Sequence, residues 1–536
     1  MGSSRFRILG CDREGSGMNK LGVFIGYNPG QLDPHQGISR LITFVIKGAL
    51  NQGSGVTIAC PGWLKDDVRV LLEDADIPLE AVKIIATNGQ PPLASLWKLR
   101  DKFRKRRTSK RKRLWLERYG KNVANFVAEW LSSRSYWGIF GGAAAIAVVT
   151  ILLAVPIAIA FTALIGLLFA RRLIRRVIRS KLGLFFHKNA NQFNKLMSSD
   201  ETIDRMRERE FSLLMKKINA QKDIKVWYVP AMFWPEVANI KSKIVMAAPD
   251  IVFFDYPGNF RGIREHNSYD RMLKSLRSAD HLVCYSENAK QKHFVERCDV
   301  PAEKITVIRH GFVDLGASGA ATLRQDALDT LHAFIKKNDG RMPEYLKGFR
   351  FDDVPFFFYS SQLRPHKNIE GLIRAYAKVL KEHQRPAKLI LTAQFQYDKR
   401  IQTFIDDNGL HADVLSLHSV PNKVLAALYH LASLSVTPTN FEGGFPFTFS
   451  EAYSVGTPSI MSRIPVVQEV IDDPELQDLM TFNPLDVDDI ANKMIFGLDN
   501  RQRLFEAQSS LYAKLSARTW QVAANDYLSL LKSVAD

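Results

Sequence analysis

Residues 441–458 read FEGGFPFTFSEAYSVGTP. A short segment, Leu434–Thr437 (LSVT), precedes them and another, Pro458–Met461 (PSIM), overlaps their end, each of a length and composition that suits a strand. The stretch between then reads as a loop and a helix joining two strands, the unit from which parallel α/β sheets are wound. Gly443 and Gly444 would let backbone amides approach a ligand, and a helix beginning near Ser450 would turn its positive end to the same place. Two carboxylates, Glu442 and Glu451, flank the glycines, and each can accept two hydrogen bonds from neighbouring sugar hydroxyls. Each also has a plainer reading: Glu442 as a surface charge, Glu451 as support for a first helical turn.

The same alternation extends outward. Toward the amino end of this half the chain reads PFFFYSS (355–361), a helical pattern over Ile369–Leu380, and strands at Lys388–Thr392 and Val414–Leu417. A second series comprises Leu21–Tyr27, a Gly/Pro-rich loop Asn28–Gly37, a helix over Ser39–Leu50 and a strand Gly55–Cys60. It resumes after residue 222 with Ile224–Val229, Lys243–Ala247, Ile251–Phe254, His281–Tyr285 and Lys304–Ile308. The expected architecture is two doubly wound, Rossmann-like α/β domains with a central cleft, ligands sitting beyond the carboxyl ends of strands.

Several motifs fall at those ends. SSQLRPHKNI (360–369) puts Arg364 and Lys367 in a strand-to-helix loop, where two cations and helix amides can hold a phosphate; a solvated basic turn is the alternative. HQGISR (35–40) places Gly37 at the opening of the first helix, either for close substrate approach or as a structural turn. APDIVFFDYPGNF (248–260) sets Asp250 and Asp255 around an expected strand, Asp250 as a hydrogen-bond acceptor or as a cap. His310 and Gly311 end the run ITVIRH. Neither a Ser–His–Asp order, nor zinc-ligand spacing, nor a Walker loop is present, so no metal site is expected.

The net charge of +18 is concentrated. Between Lys98 and Lys121 thirteen basic residues face two acids, and six more lie between Arg171 and Lys181 without any acid. Between these blocks, Tyr136–Ala170 holds 35 residues without a charge. A soluble helix rarely lacks a polar face for so long, so a membrane insertion is expected. As one helix it would be ~52 Å long against a hydrocarbon core of ~30 Å, and Pro156 invites a bend. Basic blocks on both flanks favour a re-entrant pair that returns to the cytoplasmic face and meets anionic lipid headgroups. Charge so confined argues against a nucleic-acid partner. Cys11, Cys60, Cys284 and Cys298 are scattered, as reduced thiols would be. Met1–Lys20 is polar, so no secretory leader is expected there.

In their order, these motifs resemble the retaining glycosyltransferase family 4, of GT-B fold, over roughly 20–95 and 222–535. The resemblance implies that FEGGFPFTFSEA, with Gly443, Gly444, Phe445 and Thr448, holds a nucleotide-sugar donor. It gives Glu442 the donor-sugar hydroxyls and Glu451 the ribose. Arg364 and Lys367 would neutralise the donor diphosphate in place of a metal, so no cofactor is implied. Gly37 would stand near donor phosphate and acceptor, and Asp250 near the reacting sugar. YSENAK (285–290), IRHGF (308–312) and SRIPVVQEV (462–470) continue the match. Eight residues separate Glu442 from Glu451 where the family usually has seven, and Pro249 stands where many members have histidine.

The implied organisation is an amino-terminal domain in two parts, 1–97 and 222–320, interrupted by the insertion 98–221. A linker 321–353, a nucleotide-sugar domain 354–517 and a terminal helical segment 518–536, packing back on the amino-terminal domain, complete it. Both parts of the interrupted domain must lie on one side of the membrane, which again requires an even number of crossings. The expected function is retaining hexosyl transfer to a lipid-linked glycan at the cytoplasmic membrane face. A sugar-nucleotide epimerase or phosphorylase of the same fold, or a non-catalytic membrane scaffold, are the alternatives.

Overall fold

A computed structural model of the chain describes residues 20–32, 37–89, 91, 94, 200–256, 268–316, 324–338, 346, 349–418 and 420–536. The expected membrane insertion, with its apolar core 136–170 and both basic blocks, lies outside the described residues. Among those described, no helix is long and apolar enough to cross a membrane. The chain forms two compact units, one of 1–230 with 234–244 and one of 231–233 with 245–534, so the division passes through the strand at Lys243–Ala247.

In the first unit four parallel strands run in the order β3-β2-β1-β4: β1 Lys20–Phe24, β2 Gly55–Cys60, β3 Val82–Ala86 and β4 Val226–Val229. Leu21 lies opposite both Val56 and Val226, so the winding reverses direction at β1. Helix Gly37–Asn51 covers the sheet through Leu41, Ile42, Val45 and Ile46, whose spacing of three and four residues makes one apolar face. The last part of the expected insertion 98–221 contains helix Asp200–Asn219. That helix buries Phe211, Leu214, Met215 and Ile218, so the described part belongs to the core of this unit. Its buried Glu210 accepts hydrogen bonds from the Gly62 amide at 3.0 Å and from the Thr87 hydroxyl. A buried carboxylate needs such partners to offset lost hydration.

The second unit contains a parallel run β5-β6-β7, with β5 Lys243–Ala247, β6 His281–Cys284 and β7 Ile305–Val307. It also holds a six-stranded parallel sheet in the order β10-β9-β8-β11-β12-β13. Its strands are β8 Phe356–Tyr359, β9 Lys388–Leu391, β10 Val414–Ser416, β11 Leu434–Thr437, β12 Ser459–Ser462 and β13 Thr481–Phe482. Every residue of β8 and β11 is buried, as both faces of a helix-covered parallel sheet must be. The winding reverses between β8 and β11, which places a crevice beyond their carboxyl ends. Between residues 321 and 353 the chain forms helix Arg324–Lys337, whose Ala327, Leu328, Leu331 and Ile335 share a core with Leu428 and Tyr429.

Three local expectations are corrected. Ile251–Phe254 is not a strand: a single helical turn, Val252–Asp255, forms there, and Asp250 Oδ1 accepts the Val252 amide at 3.2 Å to start it. An apolar run of four has no periodicity that separates strand from turn. The run ITVIRH leaves the sheet at Val307, so His310 lies beyond the strand. The helix expected near Ser450 begins at Phe447, directly after Pro446, and runs to Tyr453. Gly456, at φ 88°, then turns the chain into β12 in a conformation that other residues adopt with strain.

Candidate functional site

Two loops meet at the winding reversal. The first follows β8 and ends in a 3₁₀ turn, Pro365–Lys367, before helix Ile369–Lys381. Asn368 joins turn to helix at φ 52°, a left-handed conformation that asparagine tolerates, and its side-chain amide donates to Pro484 O at 2.8 Å. The second follows β11, runs through Asn440–Pro446 and enters helix Phe447–Tyr453. The two are laced together: the Asn440 amide and the Thr439 hydroxyl donate to His366 O at 2.7 and 3.1 Å.

This lacing brings Lys367 and Glu442 into an ion pair, both half-buried. Arg364 stays exposed and donates to Gln362 Oε1 at 3.3 Å. Burial, and then the charges of Lys367 and Arg364, hold the His366 imidazole down at about 4, so it is neutral near pH 7. The loop therefore presents positive charge from two side chains at the mouth of the crevice.

Glu451 occupies the fifth position of helix Phe447–Tyr453, not its first turn, and is 8% exposed. The Tyr429 phenol, buried in helix Asn422–Leu431, donates to Glu451 Oε2 at 3.1 Å. Burial first, and the Glu451 charge second, raise the Tyr429 pKa well above its ordinary value, so the phenol remains a donor. The Thr448 hydroxyl meets that of Thr437 at 2.6 Å, which pins the helix to β11. The Phe445 ring packs edge-on against Phe449, centroids 5.9 Å apart.

The glycines answer to the protein itself. A Cβ on Gly443 would stand 2.5 Å from Pro249 O, and one on Gly444 3.0 Å from Tyr285 Cβ. Gly443 O accepts the Ser286 hydroxyl at 2.9 Å, and Asn440 O accepts the Tyr256 phenol at 2.9 Å. Asp250 is thus placed beside Gly443. Its pKa is raised by desolvation first, opposed by the Val252 amide, with the Glu442 charge adding to the rise. Glu469 fastens the neighbouring segment, accepting the amides of Glu287 and Asn288 at 3.1 Å each and Arg309 at 2.9 Å.

Of the residues singled out from sequence, Arg364, Lys367, Glu442, Gly443, Gly444, Phe445, Thr448, Glu451 and Asp250 all lie in the second unit. Gly37 starts helix Gly37–Asn51 in the first. Tyr429 and His293 were not singled out. Tyr429 sits in an apolar helical run, NKVLAALYHL, where an aromatic residue reads as core. His293 lies in a charged segment without any motif, yet it is buried and stacks on Phe441. Among the described residues no group of three or more His, Cys, Asp or Glu side chains is arranged to hold a metal, and Cys60, Cys284 and Cys298 are free and buried.

Residues 344–514 match the family model described as glycosyl transferases group 1. The serotype-specific mannosyltransferase WbdA of Escherichia coli is 26% identical over 272 residues, 49% of this chain and 31% of that protein. The O-antigen chain mannosyltransferase B of Escherichia coli is 29% identical over 168 residues, 31% of this chain and 43% of that protein. The matches thus span less than half the length of these relatives. A crystal structure of Anabaena HepE in complex with UDP-glucose superposes with a TM-score of 0.54 at 13% identity, covering 96% of this chain and 99% of that one. A glycosyltransferase from Rickettsia africae gives 0.51 at 14% identity, covering 96% and 98%. At such identities the likeness establishes the fold alone: parallel α/β, with neighbours of GT-B type.

Proposed function

We propose that the chain transfers a sugar from a nucleotide-sugar donor to an acceptor with retention at the anomeric carbon. The observation that carries this reading is the Lys367–Glu442 pair at the winding reversal, inside the residues that match the group 1 glycosyltransferase model. A donor laid across this crevice would divide the pair: Lys367 and Arg364 take the diphosphate, Glu442 accepts from sugar hydroxyls, and Glu451 accepts from the ribose. Asp250, Phe445 and Thr448, in the same unit, complete the proposed set.

In the reaction, the bond from the anomeric carbon to the diphosphate oxygen breaks and its electron pair leaves on the diphosphate. The acceptor oxygen bonds to the same face of that carbon, and its proton passes to the departing phosphate oxygen. Charge grows on the diphosphate, so fixed cations at Arg364 and Lys367 stabilise the transition state more than the ground state. The two cations do the work of a metal, and no cofactor is proposed.

A hexose is the proposed donor sugar, mannose first, after the names of the relatives. The acceptor is proposed to be a lipid-linked glycan at the cytoplasmic membrane face. What supports this is the uncharged run 136–170 between two basic blocks, which would anchor the chain there as a re-entrant segment.

Incubating the detergent-solubilised full chain with GDP- and UDP-linked hexoses tests the reading. A true donor should raise the unfolding temperature and release nucleoside diphosphate only when a glycan acceptor is present. Release without an acceptor would point to a different reaction. Transfer to soluble glycans alone, never to lipid-linked ones, would remove the membrane part of the proposal.

A further inference from the structure

Glu442 sits on a loop with little regular structure, and a carboxylate that must meet particular hydroxyls needs a fixed backbone. What fixes it is found on the segment 249–293 of the same unit. Asn440, just before Phe441, is held through its carbonyl by the Tyr256 phenol at 2.9 Å. Gly443, just after Glu442, is held through its carbonyl by the Ser286 hydroxyl at 2.9 Å and lies against Pro249. Phe441, between them, presents its ring to His293, the planes 12° apart and the centroids 5.3 Å apart.

The His293 ring is itself oriented. Its Nε2 lies 3.3 Å from Asp255 Oδ2, and the other oxygen of Asp255 is paired with Arg297. Desolvation alone would raise the Asp255 pKa, but the hydrogen bonds from His293 and Arg297 bring it below the ordinary carboxylate range, so the anchor stays charged. His293 is 2% exposed and belongs to a π-helix, Ala289–Val295, a rare winding found frequently at functional sites.

We propose that His293 is a positioning residue for Glu442, acting through the ring of Phe441, with Asp255 and Arg297 holding the imidazole in plane. This inference concerns how the site of the proposed transferase is held, and it rests on that reading for its kinetic consequence only. Without the stack, Phe441 gains rotamers, and Glu442, its neighbour in sequence, spends less time opposite Lys367.

Two measurements on the full chain decide it. Hydrogen exchange of a peptide covering 440–443 should speed up by about tenfold in His293→Ala and stay near wild type in His293→Phe, which keeps the stack. This arm reads the loop whether or not sugar is transferred. Unchanged exchange in His293→Ala, or equal exchange in the two variants, overturns the proposal. With transfer established for the wild type, His293→Ala should lower kcat by about tenfold, yet by less than about twofold in a Glu442→Gln background. Effects that multiply instead would show that His293 does not act through Glu442. Should His293→Ala fail to fold, Phe441→Leu, which removes the partner ring from the other side, is read against the same two outcomes. Wild-type protein that transfers no sugar, together with the expected exchange pattern, would count against the transferase reading and leave the positioning role standing.

Discussion

The phenol of Tyr429 lies 3.1 Å from Glu451 Oε2, and both side chains are buried although neither is near the other in sequence. A buried carboxylate is costly without hydrogen-bond donors, so the Tyr429 phenol helps to fix where Glu451 points and lowers what it costs to keep it there. Tyr429→Phe should therefore lower stability by about 1.5–3 kcal/mol, the usual worth of a hydrogen bond to a charged group. It should also weaken donor binding, because the acceptor proposed for the ribose loses its fixed direction. Denaturant unfolding and donor titration of the same variant check the two effects; a stable variant with wild-type donor affinity would contradict both.

Lys367→Met removes the cation that faces Glu442 while keeping the length of the side chain. Loss of one fixed electrostatic partner of the transition state lowers kcat by about 10²–10³-fold. Arg364→Met, at an exposed position bonded to Gln362, should cost less, about tenfold. Acceptor-dependent nucleotide release, measured at saturating donor, ranks the two.

Gly443→Ala and Gly444→Ala separate the two glycines. The added methyl at 443 would meet a backbone oxygen at 2.5 Å, which can move only with its chain. At 444 it would meet Tyr285 Cβ at 3.0 Å and the His310 ring at 3.2 Å, a milder overlap that shifts of a few tenths of an ångström would relieve. Gly443→Ala should cost roughly 1–3 kcal/mol and Gly444→Ala clearly less. Thermal unfolding of both variants without donor tests the order.

His310 gives the fold a defined response to acid. Burial first, and the Arg518 charge second, bring its pKa down to about 4, against about 6.5 in an unfolded chain. Between those values the unfolded chain binds a proton that the folded one does not, so stability falls as pH drops from about 6.5 toward about 4. The loss approaches roughly 3 kcal/mol, with roughly 2 of it present by pH 5. His366, also lowered to about 4, adds a loss of the same sign. His310→Phe should fit the aromatic surroundings of Tyr285, Phe447 and Trp520 and flatten this dependence. Urea unfolding at pH 7 and pH 5 reads the difference directly.

Much of the second unit could be read without coordinates. The runs around β8 and β9 are apolar stretches bounded by polar turns, and such runs have few ways to be buried other than as central strands. Lys243–Ala247 and Leu434–Thr437 were placed to the residue. Ile251–Phe254 reads as a strand but forms the turn Val252–Asp255, because four apolar residues support either equally and the deciding hydrogen bond is the one Asp250 accepts from the Val252 amide. β13, two residues long, has no period to detect.

The parallel α/β alternation, the loops that would carry charge, and the neighbourhood of Arg364, Lys367, Glu442 and Glu451 are legible in the residues alone. These follow from patterns a few residues long, which local geometry and burial enforce wherever the segment ends up. Which of them meet depends instead on packing between segments far apart in the chain. Lys367 reaches Glu442 across 75 positions because β8 and β11 are adjacent at the reversal of winding. Tyr429 reaches Glu451, and His293 reaches Phe441, through packing that no local pattern encodes. The glycines changed meaning for the same reason: read as room for a ligand, they are also room for Pro249 and Tyr285, chain brought beside them by the fold.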